Sequence, residues 1–307
     1  MAKAKWTIDW RLLLLLPIPL LWALAAHLGY LQWADDRLLD FRFRYRGEIP
    51  APVKVVYVDI DTQAMEALGN FPWPRSYFAE VGAALVQHGK VKAVGVDVVF
   101  SEKGLSESYD YARWVEGNVA LYRFLRSDPP FVIAMSYAAS EKKDALGNRV
   151  RVSFPFLRDG LPPLPQIEPP EMPYFSLGSN RTWAPAKVGL IDTIDGGSRW
   201  IPMFAPTAEN FFERFDHMSL ALALLYWGVN PGAVKVTPEA IEIPGEDGRL
   251  LGRIPLVDGQ LMEVNWFSRW ESPYNPRISF VAALVYARAL ESENEEERAN
   301  ARAFFEQ

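Results

Sequence analysis

The hydrophobic pattern of the chain opens with its longest uncharged run, LLLLLPIPLLWALAAHLGYL, Leu12 to Leu31. Twenty such residues match the ~20 that a helix needs to cross a bilayer. Pro17 and Pro19 predict a kink, which membrane helices tolerate where neighbours re-satisfy the backbone. Trp22, Tyr30 and Trp33 fall where interfacial aromatic anchors belong. Ala23-Leu24-Ala25 offers the rival reading, a cleavable signal peptide. The apolar run continues past that site, so the expectation is an uncleaved anchor over residues 12–33 behind a short tail, 1–11. Beyond it, DDRLLDFRFRYRG continues as helix and then extends to Pro50 and Pro52.

The pattern then changes period. VKVVYVDID (Val53 to Asp61) is β-branched and nearly continuous, the signature of a buried strand. TQAMEALG predicts a short helix closing at Gly69. In GNFPWPRSYFAEV, Pro72 and Pro74 fix their own φ and push their preceding residues out of α geometry. Ser76 is the expected N-cap of a helix whose apolar positions Tyr77, Val81, Ala84, Leu85 and His88 recur at helical spacing up to Gly89. VKAVGVDVVF (Val91 to Phe100) reads as a second buried strand. Strand, crossover helix, strand predicts a βαβ unit with the two strands parallel.

Asp110 to Leu125 reads as helix and PFVIAMSYA, from Pro130, as a third strand. The proline-rich stretch 154–173 is too broken for regular structure and reads as a surface excursion. Ala186 to Phe204 has two strand-like arms around Asp195-Gly196-Gly197, a hairpin signal. HMSLALALLYWG, ending at Gly228, predicts a buried helix too short to span a membrane. AVKVT, AIEIP and GQLMEVNWF supply short strands. From Ile278 the chain reads as helical, with SENEEERANAR as a solvated face. The fold class expected is α/β: a mixed, largely parallel central sheet flanked by helices, preceded by one transmembrane helix.

Composition narrows the function. The 307 residues are half apolar, enough for one large domain or two small ones. A net charge of -6 argues against nucleic acid as a partner, since a phosphate-tracking surface is normally basic. The chain has no cysteine, which removes disulfides and thiolate chemistry. Lys3, Lys5 and Arg11 before the apolar run are matched by Arg37, Arg42, Arg44 and Arg46 after it, so charge alone assigns no orientation.

Three carboxylates stand out. Asp59 and Asp61, two apart on one strand, share a side, and Asp97 lies near the end of the next strand. Carboxyl ends of parallel strands are where open α/β sheets bind ligands. One reading is a metal or polar-ligand site. The other is that Asp61 caps the following helix while Asp59 and Asp97 accept backbone N–H bonds. Arg75, set by the proline corner, is expected to bridge to Asp59 or Asp97 as a structural pair, with Trp73 covering the core edge. His27, His88 and His217 have no triad or metal-ligand spacing, and there is no nucleophile elbow, P-loop or dinucleotide fingerprint. The frame VVYVDIDT is one residue out of step with that of the haloacid dehalogenases. A nucleotide cyclase also carries a metal-binding aspartate after a comparable strand. Neither pattern predicts Trp-Pro-Arg at the next helix.

VVYVDID, GNFPWPRSYFAEV and AVGVDVVFSE, in that order and spacing, resemble the second class of CHASE domain (cyclases/histidine-kinases-associated sensory extracellular). DFRFRYRG, GLIDTIDGGSRWIPM and IPLVDGQLMEVNWF match its pattern too, so the resemblance runs from about Asp35 to Phe280. Its motif positions are Pro72, Trp73, Pro74, Arg75, Asp195, Gly196 and Arg199; Phe71 stands where the family's corner has its first Trp. The resemblance implies a non-catalytic sensor domain, 34–307, held outside the bacterial inner membrane with the N-terminus inside. Its partners would be the lipid bilayer, an unknown small-molecule or envelope ligand bound near Asp59, Asp61, Asp97 and Arg75, and a second copy in a homodimer. No cofactor is implied. Such domains usually close with an apolar strand ending in Ile-Gly and continue into three membrane helices and a cytoplasmic effector, a nucleotide cyclase first or a histidine or serine/threonine kinase next. The chain ends before that strand and reads as the sensor part of a longer receptor. Two readings from other classes are an anchored metal-dependent envelope hydrolase using Asp59 and Asp61, and a structural envelope protein binding partners through residues 154–173.

Overall fold

The computed structural model of the chain describes residues 17–27, 30, 32–100, 111–135, 174–177, 180–183, 187–193, 199–206, 214–257 and 259–306. It divides into two units, one of residues 1–57 with 266–276 and one of residues 58–265 with 277–307.

The first unit holds two helices, α1 (Pro17–His27) and α2 (Gln32–Arg46). α2 ends where Gly47 takes a left-handed φ of 74°, which glycine adopts without a Cβ penalty. The segment 266–276 is fastened to the chain leaving α2. The Phe267 carbonyl accepts from the Ile49 amide at 2.9 Å, the Ser272 hydroxyl donates to the Glu48 carboxylate at 2.7 Å, and Trp270 meets Tyr57 edge-on at 4.6 Å. Among the described residues no helix is long and apolar enough to cross a membrane. Leu12 to Leu16, Leu28, Gly29 and Leu31 of the apolar run lie outside the described residues.

The second unit is built on a parallel sheet of three strands in the order β2 (Val94–Val96), β3 (Phe131–Met135), β6 (Lys187–Leu190). Val94 registers with Phe131, and Met135 with Leu190. Every residue of the central β3 is buried, and its period-2 alternation feeds two layers. Phe131 and Ile133 face a core made by α4 (Arg75–Gln87), α5 (Tyr111–Arg126) and α7 (Phe280–Ala289), with Phe78, Leu121 and Leu284 among its members. Val132 and Ala134 pack instead on Met218 of α6 (Met218–Trp227). The opposite side of α6, Leu220 and Leu224, closes a smaller core against Ile241 and Ile243. Those residues lie on β11 (Ala240–Pro244), the middle of an antiparallel sheet with β10 (Lys235–Val236) and β12 (Leu250–Pro255).

β6 and α6 meet so closely that a Cβ on Gly189 would lie 2.5 Å from the Met218 Cα. Backbone cannot yield as a side-chain tip can. Gly189→Ala should therefore lower the unfolding free energy by about 1–3 kcal/mol or more, read as a reduced urea midpoint at unchanged slope; an unaltered midpoint would mean that this contact is looser.

Several expectations are corrected. The strands divide among several small sheets that are only partly parallel: β2-β3-β6 is parallel, as expected, but several further pairs are antiparallel. They include β4 (Tyr174–Leu177) with β5 (Asn180–Trp183), β7 (Trp200–Pro202) with β13 (Leu261–Glu263), and β8 (Phe204–Pro206) with β9 (Arg214–Asp216). β1 (Tyr57–Asp59) pairs with β14 (Arg277–Ser279) rather than with β2, so the first strand joins a segment about 220 residues away in sequence. The arms of Ala186 to Phe204 form no hairpin, because β6 goes to β3 and β7 to β13. β14 takes the first residues of the stretch read as helical from Ile278. The helix α8 (Glu295–Glu306) is solvated on one side only, since Ala301 and Phe305 are buried. Residues 154–173 lie outside the described residues.

Candidate functional site

The site grows from the residues that end β1. α3 (Thr62–Leu68) starts because Asp61 takes extended geometry and its carboxylate accepts the Ala64 amide at 2.8 Å, the ordinary N-cap arrangement. The same oxygen accepts the Ser279 hydroxyl at 2.8 Å, fixing the carboxylate from two directions. α3 closes on Gly69, whose φ is 84°. The proline corner follows. Trp73 is buried, donates its indole N–H to the Gly69 carbonyl at 2.8 Å and lies against Phe280 with ring centres 5.2 Å apart. Phe71 meets Trp73 edge-on at 5.6 Å but leaves much of its own ring in solvent.

α4 begins at Arg75, with Pro74 in the cap position and no side-chain cap; Ser76 lies inside the helix. Arg75 is 4% exposed and sets its guanidinium 5.3 Å from the centre of the Phe100 ring. Its backbone lies against Gly117 of α5, where a Cβ would approach the Arg75 amide to 3.0 Å. α4 ends with Lys90, not Gly89, in left-handed geometry at φ 49°. Gly89 is required for a different reason, since a Cβ there would lie 2.7 Å from the Leu85 carbonyl.

The expected carboxylates separate. Asp59 pairs with Arg277, Nε to carboxylate 2.5 Å, so it belongs to the β1–β14 contact. Asp61 and Asp97 line one open cleft of about 800 Å³ with Ile60, Met65, Phe71 and Val99 among its walls. Asp97 is exposed, and no hydrogen bond or ion pair from the described residues reaches it. Arg75 is not among the lining residues. Asp195 and Gly196 lie outside the described residues, while the Arg199 carbonyl accepts the Val264 amide at 2.8 Å, at the end of the β7–β13 pair. Sequence reasoning missed Arg277, Ser279 and the apolar walls Ile60, Phe71 and Val99. A basic and a hydroxyl residue alternating just before a helix were the available signal for the first two.

Among the described residues no group of His, Cys, Asp and Glu is arranged to hold a metal ion. His88 caps the end of α4. His217 caps the start of α6: Nδ1 lies 3.2 Å from the Ser219 amide, whose N–H it accepts, and 2.8 Å from the Ser219 hydroxyl. Burial lowers the imidazole from its ordinary 6.5 to about 4. Its neighbour Asp216 is raised by burial, an effect opposed by Arg214 at 2.8 Å.

The two neighbours oppose each other in acid. The unfolded His217 binds a proton near pH 6.5 and the folded one only near 4. Its contribution is fully present above 6.5 and fades as pH falls toward 4, by on the order of 3 kcal/mol at the limit. Asp216, with a raised folded value, contributes most in acid and loses that contribution as pH rises. His217→Asn keeps a cap-forming side chain and should flatten the loss of stability between pH 6.5 and 4. An identical pH profile in the variant would place the proton-linked loss elsewhere.

The three-layer parallel core, the Trp73 corner and the cleft beside it define an α/β domain with a ligand-sized depression and no assembled catalytic group among the described residues. Residues 14–299 match the model of the CHASE2 domain, and the chain belongs to that family. CHASE2 domains are sensory rather than catalytic, occur in signal-transduction receptors and are typically extracellular. No curated protein and no solved structure matches the chain.

Proposed function

We infer that the chain is the membrane-anchored sensor portion of a bacterial receptor. In this reading Leu12 to Leu31 holds it in the inner membrane with residues 1–11 inside. Residues 34–307 lie in the periplasm or outside the cell. The domain relays a small-molecule or envelope signal to a cytoplasmic effector, a nucleotide cyclase first and a histidine or serine/threonine kinase second. A second copy of the chain and the bilayer are its partners, and nucleic acid is not.

The observation that carries this is the family match, which begins within the apolar run and extends through the α/β domain. The uncharged twenty residues support the anchor, and the acid balance of the chain supports the exclusion of nucleic acid. Membrane-extracted protein should resist carbonate washing and retain its N-terminus on sequencing; a mature chain beginning at Ala26 would remove the anchor. Purified protein with Mg²⁺ or Mn²⁺ should leave phosphomonoesters and nucleoside triphosphates unchanged. Turnover abolished by Asp59→Asn would replace the sensor by a hydrolase.

A further inference from the structure

We propose that the cleft beside the ends of β1 and β2 receives an organic cation with an apolar body, an alkyl- or arylammonium, as the signal. The proposal rests on the sensor reading and assigns that reading a ligand class.

The shape supports it first. At about 800 Å³ the cleft lies in the range of small-molecule sites. It sits where the chain leaves β1 and β2, and β2 belongs to the parallel sheet, whose carboxyl end is where α/β folds bind ligands. Its walls are apolar and wet: Ile60, Phe71 and Val99 each leave more than a third of their surface in solvent, and all three converge on one depression. Apolar side chains gathered in this way mark a surface awaiting a cover.

Charge then selects the cover. Among the described residues, the ionisable ones that line the cleft are Asp61 and Asp97, and no lysine, arginine or histidine lines it. An anion would be repelled. A neutral apolar ligand would strip water from the Asp97 carboxylate, which no donor from the described residues reaches. A cation removes that difficulty. Asp61 is held in position by the Ala64 amide and the Ser279 hydroxyl, both on one oxygen, so its other oxygen is presented without a further ordering cost. The exposed Phe71 ring adds a face suited to an ammonium. A bare divalent ion fits poorly, because it demands six or more oxygen ligands and most of these walls are carbon.

The test uses the full chain in nanodiscs of zwitterionic lipid, with empty discs as reference, and three matched probes: phenylpropylammonium, phenylpropanol and phenylpropanoate. Calorimetry and ligand-observed NMR should show saturable binding of the ammonium, weaker binding of the alcohol and none of the carboxylate. Asp97→Asn should weaken the ammonium by about tenfold and leave the alcohol unchanged. Val99→Lys, at an exposed position, should abolish ammonium binding while the melting temperature stays. Equal binding of the three probes, an ammonium affinity indifferent to Asp97→Asn, or no saturable ammonium binding above empty discs would each overturn the proposal. None of these outcomes bears on which side of the membrane the domain lies, so the sensor reading stands or falls separately.

Discussion

Trp73→Ala is expected to lower the unfolding free energy by about 3–5 kcal/mol, the range for deleting a large buried aromatic. Trp73 is 3% exposed and joins three things at once. Its ring covers Phe280 of α7, its edge meets Phe71, and its indole N–H satisfies the Gly69 carbonyl that closes α3. Truncation opens a cavity and leaves that carbonyl without its donor. Trp73→Phe keeps most of the apolar contact and loses the hydrogen bond, so a smaller loss of about 1–2 kcal/mol is expected. Urea unfolding of the solubilised chain measures both. If Trp73→Ala unfolds at the parent's midpoint, the corner does not carry the packing described above.

Arg75→Ala is the second large effect, about 2–5 kcal/mol, the range for cutting a long buried side chain back to alanine. An arginine in the first turn opposes the helix dipole, which favours negative charge there, so its place at the start of α4 is set by tertiary contact. The side chain is buried, its guanidinium lies over Phe100, and its stem fills space that alanine cannot. Arg75→Lys retains the charge but not the planar face and should fall between alanine and the parent. A variant that melts like the parent yet no longer responds to signal would make Arg75 a ligand residue.

Locally encoded features were legible in the sequence. The Asp61 cap, the Gly69 stop, the helix from the proline corner and the α6 stop at Gly228 (φ 68°) depend on residues within a turn or two of one another. Strand partners depend on residues far away. Alternation in Lys187–Leu190 and Trp200–Pro202 announced two strands but held no information that one joins β3 and the other β13. β12 and β14 were missed because Gly252 and Arg253 interrupt the apolar pattern of the one and the other is only Arg277–Ser279. The carboxylates were found, but not their division. Asp59 is claimed by Arg277, 218 residues away, whereas Asp97 is left facing the cleft. Val99 read as part of a buried strand, and only the fold shows it and Phe71 in solvent.

The central claim is that this domain faces the outside of the cell. The chain's lack of cysteine makes it directly testable with one engineered thiol. Arg249 sits by the β11–β12 turn with 88% of its side chain in solvent, so Arg249→Cys should leave the fold unchanged. In intact cells a membrane-impermeant maleimide is expected to label Arg249→Cys fully, while Lys3→Cys reacts only after the inner membrane is opened. Labelling of Arg249→Cys only after opening, with Lys3→Cys behaving alike, would place the domain in the cytoplasm and contradict the account.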